Sequence, residues 1–403
     1  MSSDPLASLK RQYFLAYAVL GSLSPFLAVF LQQKGLSSPQ IGFAIGLSSV
    51  SVLLMPVLLS YLADSRLDSR HIMAASFGLS MIGLAGLEFS RSFGAVLGWL
   101  CLHSLGYVAV LPLLDALTFA ALQERSDAGQ KVAPFHLIRV WGTIGFIVPG
   151  VFLFFLLRRG AGFDVVLLST FAFCGLSALN ALRLPPPAAT PIDKETALKK
   201  RLSSSLPTAE AARALRRAPV LIFCVSLFLA GLGNAAFYSF FPLYVTDVVG
   251  LDKAYIAPIS NVAVVFEIGF MLGCGWLLQR LGLKRLLLAG MIALVLRLLA
   301  LALFPIPFVA VATQLVHGLI VISLGVAPSI YLNQQADDTY RNSIQGLYTM
   351  TVQGSSRILG SFLAGWVAKQ SLPLLFIGSA ALIAVAAALL LFAFHDELMS
   401  ETK

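Results

Sequence analysis

Charge is scarce in this chain. Lys, Arg, Asp and Glu together supply 12% of its 403 residues, where a soluble globular protein carries about 25%. That shortage excludes an ordinary water-solvated domain. Cysteine is scarcer still: Cys101, Cys174, Cys224 and Cys274 are the only four, and each falls inside an apolar run. They read as small core side chains and give no sign of a disulfide framework or a metal site. The sequence also lacks a metal-ligand cluster, a Gly-rich phosphate loop and a Ser–His–Asp arrangement at the ends of its apolar runs. A polytopic membrane enzyme is therefore disfavoured, and no cofactor or metal is expected. Strand-length alternation of the barrel type is missing too, which leaves helices as the spanning elements.

Apolar side chains are abundant, at 58%. Runs of about 20 apolar residues recur along the whole chain, the length a bilayer core of about 30 Å requires of a helix. Twelve transmembrane helices are predicted, near 12–33, 39–63, 71–90, 94–122, 135–157, 163–183, 219–246, 254–279, 285–304, 308–333, 343–368 and 372–394. Lys10 and Arg11 precede a first run too long for a signal-peptide core, and it continues past Pro25, so it reads as the first helix. From Leu184 to Ala218 the pattern breaks. That stretch opens on Pro185-Pro186-Pro187 and carries Lys199, Lys200, Arg201, Arg213, Arg216 and Arg217. The expected organisation is an N-terminal six-helix bundle (1–183), a basic linker (184–218) and a C-terminal six-helix bundle (219–403).

The formal net charge of +9 sits in short loops, so it speaks of topology and not of nucleic acid. Lys10, Arg11, Arg66, Arg70, Arg125, Lys131, Arg280, Lys284, Arg285 and Arg341 accompany the linker cluster on one side. The opposite loops hold fewer basic residues. Both termini and the linker are expected in the cytoplasm, with the chain in the cytoplasmic (inner) membrane.

The halves echo each other. Gly35-Leu36 matches Gly250-Leu251, His103 and Pro112 match His317 and Pro328, Arg125 matches Arg341, and Arg139 matches Arg357, at offsets between 214 and 218. The series implies two parallel repeats, with a site expected near the midplane. Arg139 and Arg357 share one local setting, Arg139-Val-Trp-Gly142 and Arg357-Ile-Leu-Gly360. An arginine inside a membrane helix costs roughly 2.5–3.5 kcal/mol on insertion scales, so both arginines are candidates for function.

Six plus six helices around a basic central loop resemble the major facilitator superfamily. Gly275-Trp-Leu-Leu-Gln279-Arg280-Leu-Gly282-Leu-Lys284-Arg285 looks like its cytoplasmic loop signature, with Gln279 where an Asp is usual. Leu62-Ala-Asp64-Ser-Arg66 keeps the acid but lacks the glycines. The resemblance implies a gating loop that uses Asp64, Arg66, Arg280 and Lys284. Within the superfamily, the Arg139-x-x-Gly142-x-x-Gly145-Phe146 segment is similar to the lactose permease and 3-phenylpropionate permease branch. So are Pro112-Leu-Leu-Asp115, the 20-residue spacing of Arg297 and His317, and Arg341-Asn-Ser-Ile-Gln345-Gly346. That resemblance implies substrate contact at Arg139 and proton coupling at Arg297 and His317. Ile320 stands where the lactose permease carries its proton-carrying glutamate, so a coupling carboxylate must lie elsewhere.

Read from the residues, Asp115 is the natural partner of Arg139 across a short loop. A carboxylate–arginine pair makes insertion cheaper and can exchange partners when substrate arrives. Glu267 sits mid-helix with no charge within a turn and is the candidate proton carrier. Arg297 and His317 are its plausible neighbours, and a purely structural Arg297–Glu267 pair is the alternative. Arg357, Trp141, Asn234 and Tyr238 complete the candidate binding set. His103 and His136 read as satisfied polar residues, and Glu88 and Arg91 as a surface pair. Three deep arginines and a histidine face two carboxylates, which leans toward an organic anion as substrate. The expected function is a monomeric secondary transporter moving a small organic solute with protons by alternating access. An uncoupled facilitator, a drug–proton antiporter and a sugar or nucleoside symporter are the alternatives.

Overall fold

The computed structural model describes residues 5–54, 68–130, 132, 134–184, 205–336 and 341–394. Among these residues the secondary structure is helical throughout, with no strand. Nine helices are long and apolar enough to cross a membrane, or ten if Leu6–Leu23 and Leu27–Gln33 count as one bent span. The first predicted helix is therefore not straight. It bends by 46° around Ser24-Pro25-Phe26, because proline cannot continue the backbone hydrogen-bond ladder. Two more helical segments fall on predicted spans. Ser38–Leu54 is shorter. Arg341–Ala368 carries Gln345, Gln353, Ser355, Ser356 and Arg357, which make it less apolar than its neighbours.

The contacts divide the chain into two compact units. One holds the described residues up to Leu184 together with Asp252–Asn261, and the other holds those of Ser205–Leu251 and from Val262 onward. In the first unit, Pro5–Leu23 lies along Phe135–Arg158 and Asp164–Ala181, and Ser69–Phe89 lies along Phe93–Val108 and Asp164–Ala181. Small residues permit the closest of these approaches. A Cβ at Gly21 would strike the Phe146 carbonyl, and one at Gly145 would strike the Phe14 carbonyl.

The second unit repeats this internal order. Ala218–Asp247 lies along Ser355–Ala368 and Leu372–Ala393, and Leu283–Leu303 lies along Leu372–Ala393. Gly360 occupies the place that Gly142 holds in the first repeat, and a Cβ there would come within 2.6 Å of the Leu232 carbonyl oxygen. Part of the basic linker is itself a helix, Ser205–Leu215, packed on Arg341–Tyr348.

The repeats differ in backbone regularity. In the second unit, Ile322–Val326 and Thr349–Gly354 are π-helical, and Thr313–Val316 is a 3₁₀ turn. At the matching offset the first repeat has a different irregularity: Phe93–Val108 and Val110–Asp127 are separated by a break at Ala109, opposite Ile322–Val326. π-turns inside α-helices concentrate at functional sites, and these two flank His317 and Arg357.

The expected Glu88–Arg91 pair does not form. The Ser69–Phe89 helix ends before Arg91 and Ser90 is extended, so the two do not share a helical face. Glu88 instead meets Lys34, whose Nζ lies 3.7 Å from its carboxylate and also donates to its backbone carbonyl.

Candidate functional site

Each unit brings candidate charged residues together with aromatic rings. In the first, Asp115 and Arg139 come together, with Arg139 Nε 3.8 Å from Asp115 Oδ1. Two tyrosines complete the arrangement. The Tyr13 hydroxyl donates to Asp115 Oδ1 at 2.5 Å, and Arg139 Nη1 donates to the Tyr17 hydroxyl at 2.6 Å. The guanidinium lies 5.9 Å from the Tyr13 ring centre and 5.3 Å from that of Tyr17, within cation–π range. Tyr13 and Tyr17 are one helical turn apart, so Pro5–Leu23 presents both to the same partner. Gly142 allows the approach: a Cβ there would fall 2.7 Å from the Tyr17 ring. The Arg139-x-x-Gly142 spacing therefore places the charge and the clearance for its partner on one helix face. Beside the cluster, Phe135 stacks on the exposed Phe119 with ring centres 4.4 Å apart.

Trp141 faces elsewhere. It is exposed on a stripe with Ile144, Val148, Val151 and Phe155, whose helical spacing carries it away from Arg139.

In the second unit, Arg297 is buried to 2% exposure. Its guanidinium lies 3.6 Å from the Phe237 ring centre, Nη2 donates to Gln314 Oε1, and Nη1 lies 3.2 Å from His317 Nδ1. Arginine has only donors, so His317 Nδ1 accepts and the ring proton sits on Nε2. That nitrogen stands 3.5 Å from Glu267 Oε2. The 3₁₀ turn at Thr313–Val316 eclipses positions three apart, which lets Gln314 and His317 reach one guanidinium. Gly318 makes the last contact possible, because a Cβ there would lie 2.8 Å from Glu267 Cα. Glu267 thus pairs with His317 and not with Arg297, which is enclosed behind the imidazole. The Glu267 side chain keeps 31% exposure against 9% for His317, so the carboxylate is the more open end of the chain of contacts.

Tyr238 is half exposed and meets the His317 ring edge-to-face at 5.9 Å. Arg357 is exposed on the Ser355–Ala368 helix, immediately after the π-turn, and meets no carboxylate among the described residues. Asn234 is half-buried one turn before Tyr238. Ile320 is buried to 1% and offers no titratable group.

His103 is buried, with its Nδ1 2.7 Å from the Ser80 hydroxyl, a satisfied polar residue; His136 is exposed. Of the loop residues, Asp64 and Arg66 lie outside the described residues. Arg280 covers the Trp276 ring at 5.2 Å, and Lys284 Nζ donates to the Phe394 carbonyl at 2.6 Å, which satisfies an acceptor at the end of Leu372–Ala393. Asp68, next to that loop, caps Ser69–Phe89 by accepting from the Arg70 amide at 2.9 Å and from Arg70 Nε at 2.8 Å. The Arg70 hydrogen bonds hold its carboxyl below the usual carboxylate range.

Sequence reasoning missed Tyr13, Tyr17 and Gln314, and read Phe237 only as one ring of a Phe-rich run. Their signal was faint: two tyrosines four apart in the first helix, and a glutamine three positions before the histidine already singled out.

Among known families, the one described as MFS_1 like family matches residues 6–378. The nucleoside permease NupG of Escherichia coli (strain K12) is 25% identical over 384 residues, covering 90% of this chain and 87% of that protein. The xanthosine permease of the same organism is 24% identical over 378 residues, covering 89% and 86%. The crystal structure of the nucleoside transporter NupG superposes with a TM-score of 0.85 at 21% identity, over 98% of this chain and all of that one. These two charged clusters are therefore carried on the fold of that structure.

Proposed function

Because this chain belongs to the MFS_1 like family and is thus a multi-pass membrane transporter of the major facilitator superfamily, we propose that its solute is a nucleoside, carried together with protons. The observation that carries this reading is the likeness, over about nine tenths of the chain, to two permeases named for nucleosides and for xanthosine. The organic-anion expectation rested on counting charges, and these relatives favour the neutral-solute alternative over it.

The site chemistry supports the same choice. A nucleoside offers ribose hydroxyls and a base with a flat face and polar edges. Each cluster has an exposed aromatic ring beside it, Phe119 in the first unit and Tyr238 in the second, and either ring suits the flat face. Aromatic stacking is worth about 1–3 kcal/mol per base in other proteins. Asp115, Arg139, Asn234 and Arg357 offer donors and acceptors for hydroxyls and base edges. Trp141, on the far face of its helix, is left without a part in this proposal.

Coupling is assigned to Glu267, His317 and Arg297. Arg297 fixes the imidazole tautomer, His317 presents Nε2–H to Glu267, and the half-exposed carboxylate takes up or releases the proton. Transport proceeds by alternating access, with the chain acting as a monomer whose termini lie in the cytoplasm. Opening of the cytoplasmic side involves Asp64, Arg66, Arg280 and Lys284.

A competition panel tests the substrate class. In proteoliposomes holding the full chain, uptake of labelled uridine should be inhibited by unlabelled purine and pyrimidine nucleosides and not by aryl carboxylates or disaccharides. One observation favours a second reading: Arg357 meets no carboxylate among the described residues. Inhibition by carboxylates alone, lost in Arg357→Gln and retained in Arg357→Lys, would decide for an organic anion.

A further inference from the structure

The second unit carries an open-sided groove that neither cluster uses. It lies along the first turns of Ala218–Asp247 and has a volume of about 360 Å³, within the roughly 300–1,000 Å³ typical of small-ligand pockets. Leu221 and Val225 form one wall, Leu347 and Val352 the other, and Leu215 and Arg216 close the end. Leu221 and Val225 are 46% and 40% exposed. The linker helix Ser205–Leu215 makes the closed end because Ala211 and Ala214 bury against Arg341–Tyr348. Its opposite face leaves Arg213 exposed, and the turn that follows exposes Arg216 and Arg217.

An apolar trough that opens at the start of a spanning helix, with Arg216 at its end and Arg213 and Arg217 exposed within three residues of it, is complementary to one kind of molecule. A soluble anion would leave the trough unfilled. A neutral lipid would leave the arginines unmatched. Clusters of arginine and lysine at the membrane boundary bind acidic headgroups at about 1 kcal/mol per residue, a factor of about five.

We propose that this groove holds an acyl chain of an anionic phospholipid, whose phosphate is bound by Arg213, Arg216 and Arg217. One wall belongs to the π-helical turn Thr349–Gly354, three residues before Arg357.

The test uses the purified full-length chain with phosphatidylglycerol and phosphatidylcholine of identical acyl chains, and reads lipid retention by native mass spectrometry. The wild type retains phosphatidylglycerol with about a tenfold preference. The triple variant Arg213→Gln, Arg216→Gln, Arg217→Gln loses that preference. Val225→Trp fills the groove with the charges intact and lowers retention at least fivefold; Leu221→Trp makes the same test if Val225→Trp does not fold. Equal retention of the two lipids by the wild type overturns the proposal. So does full retention of phosphatidylglycerol by the tryptophan variants, which would mark surface attraction only. Protection by inorganic phosphate with no lipid retained overturns it as well.

Discussion

His317 meets Glu267 through Nε2, at 3.5 Å, because its other ring nitrogen faces a guanidinium that can only donate, Nη1 of Arg297 at 3.2 Å. The pair thus has one defined proton position and one carboxylate, half-exposed, on which a transported proton can rest. Glu267→Gln keeps the shape and removes the titration. It should lower proton-driven uphill accumulation at least tenfold and leave nucleoside exchange across the vesicle membrane within about twofold of wild type. Parallel uptake and counterflow assays on one preparation separate the two.

Gly318→Ala tests whether the approach of the two helices matters. The added Cβ would fall 2.8 Å from Glu267 Cα, and overpacking of this kind costs about 1–3 kcal/mol. A lower unfolding temperature is expected, together with loss of coupled uptake larger than the loss of exchange. Gly378→Ala is the control, because a Cβ at Gly378 meets nothing within 4 Å.

Tyr17→Phe removes the acceptor for Arg139 Nη1, now at 2.6 Å. Hydrogen bonds to charged groups contribute roughly 1.5–3 kcal/mol, so KM for the solute should rise about tenfold, with coupling stoichiometry unchanged. Gly142→Ala, which drives a Cβ toward the Tyr17 ring, should reproduce the KM effect. Initial-rate uptake at several nucleoside concentrations measures both.

Asp68 sets a pH dependence of stability. Hydrogen bonds from Arg70 hold its carboxyl below the ordinary range, so its stabilising contribution is present above the unfolded value of about 3.9. That contribution is lost as pH falls through the lower folded value. Asp68→Ala should cost about 1 kcal/mol at pH 7 through the lost helix cap. The gap in unfolding temperature between wild type and Asp68→Asn should narrow between pH 5 and pH 3, as followed by intrinsic fluorescence in detergent.

The sequence carried much of this arrangement where charge stood out against an apolar background. Asp115 and Arg139 were visible because each interrupts a hydrophobic run, and the 20-residue interval of Arg297 and His317 through the family resemblance; the structure brings both pairs into contact. What was hidden lay in ordinary helix residues. Tyr13 and Tyr17 look like filler until Gly142 lets their helix approach Arg139. Arg297 and His317 were both expected beside Glu267; burial of Arg297 leaves His317 in contact with the carboxylate, and the alternative Arg297–Glu267 pair does not form.

Backbone irregularity was partly hidden as well. The π-turn at Ile322–Val326 is followed two residues on by Pro328, which has no N–H for the carbonyl four residues back, whereas residue order carries no such mark for Thr349–Gly354. The bend in the first helix had a visible cause in Pro25, outweighed in the reading by continuous hydrophobicity. The Glu88–Arg91 pairing failed because it assumed a helix that ends two residues earlier, at Phe89.

Nucleoside-driven proton movement tests the central claim most directly. Uridine added to proteoliposomes in weakly buffered medium, with no imposed gradient, should alkalinise the medium as the nucleoside enters. Glu267→Gln vesicles should exchange uridine without that change. Uridine entry with no alkalinisation in the wild type, or an equal alkalinisation with Glu267→Gln, would contradict the account.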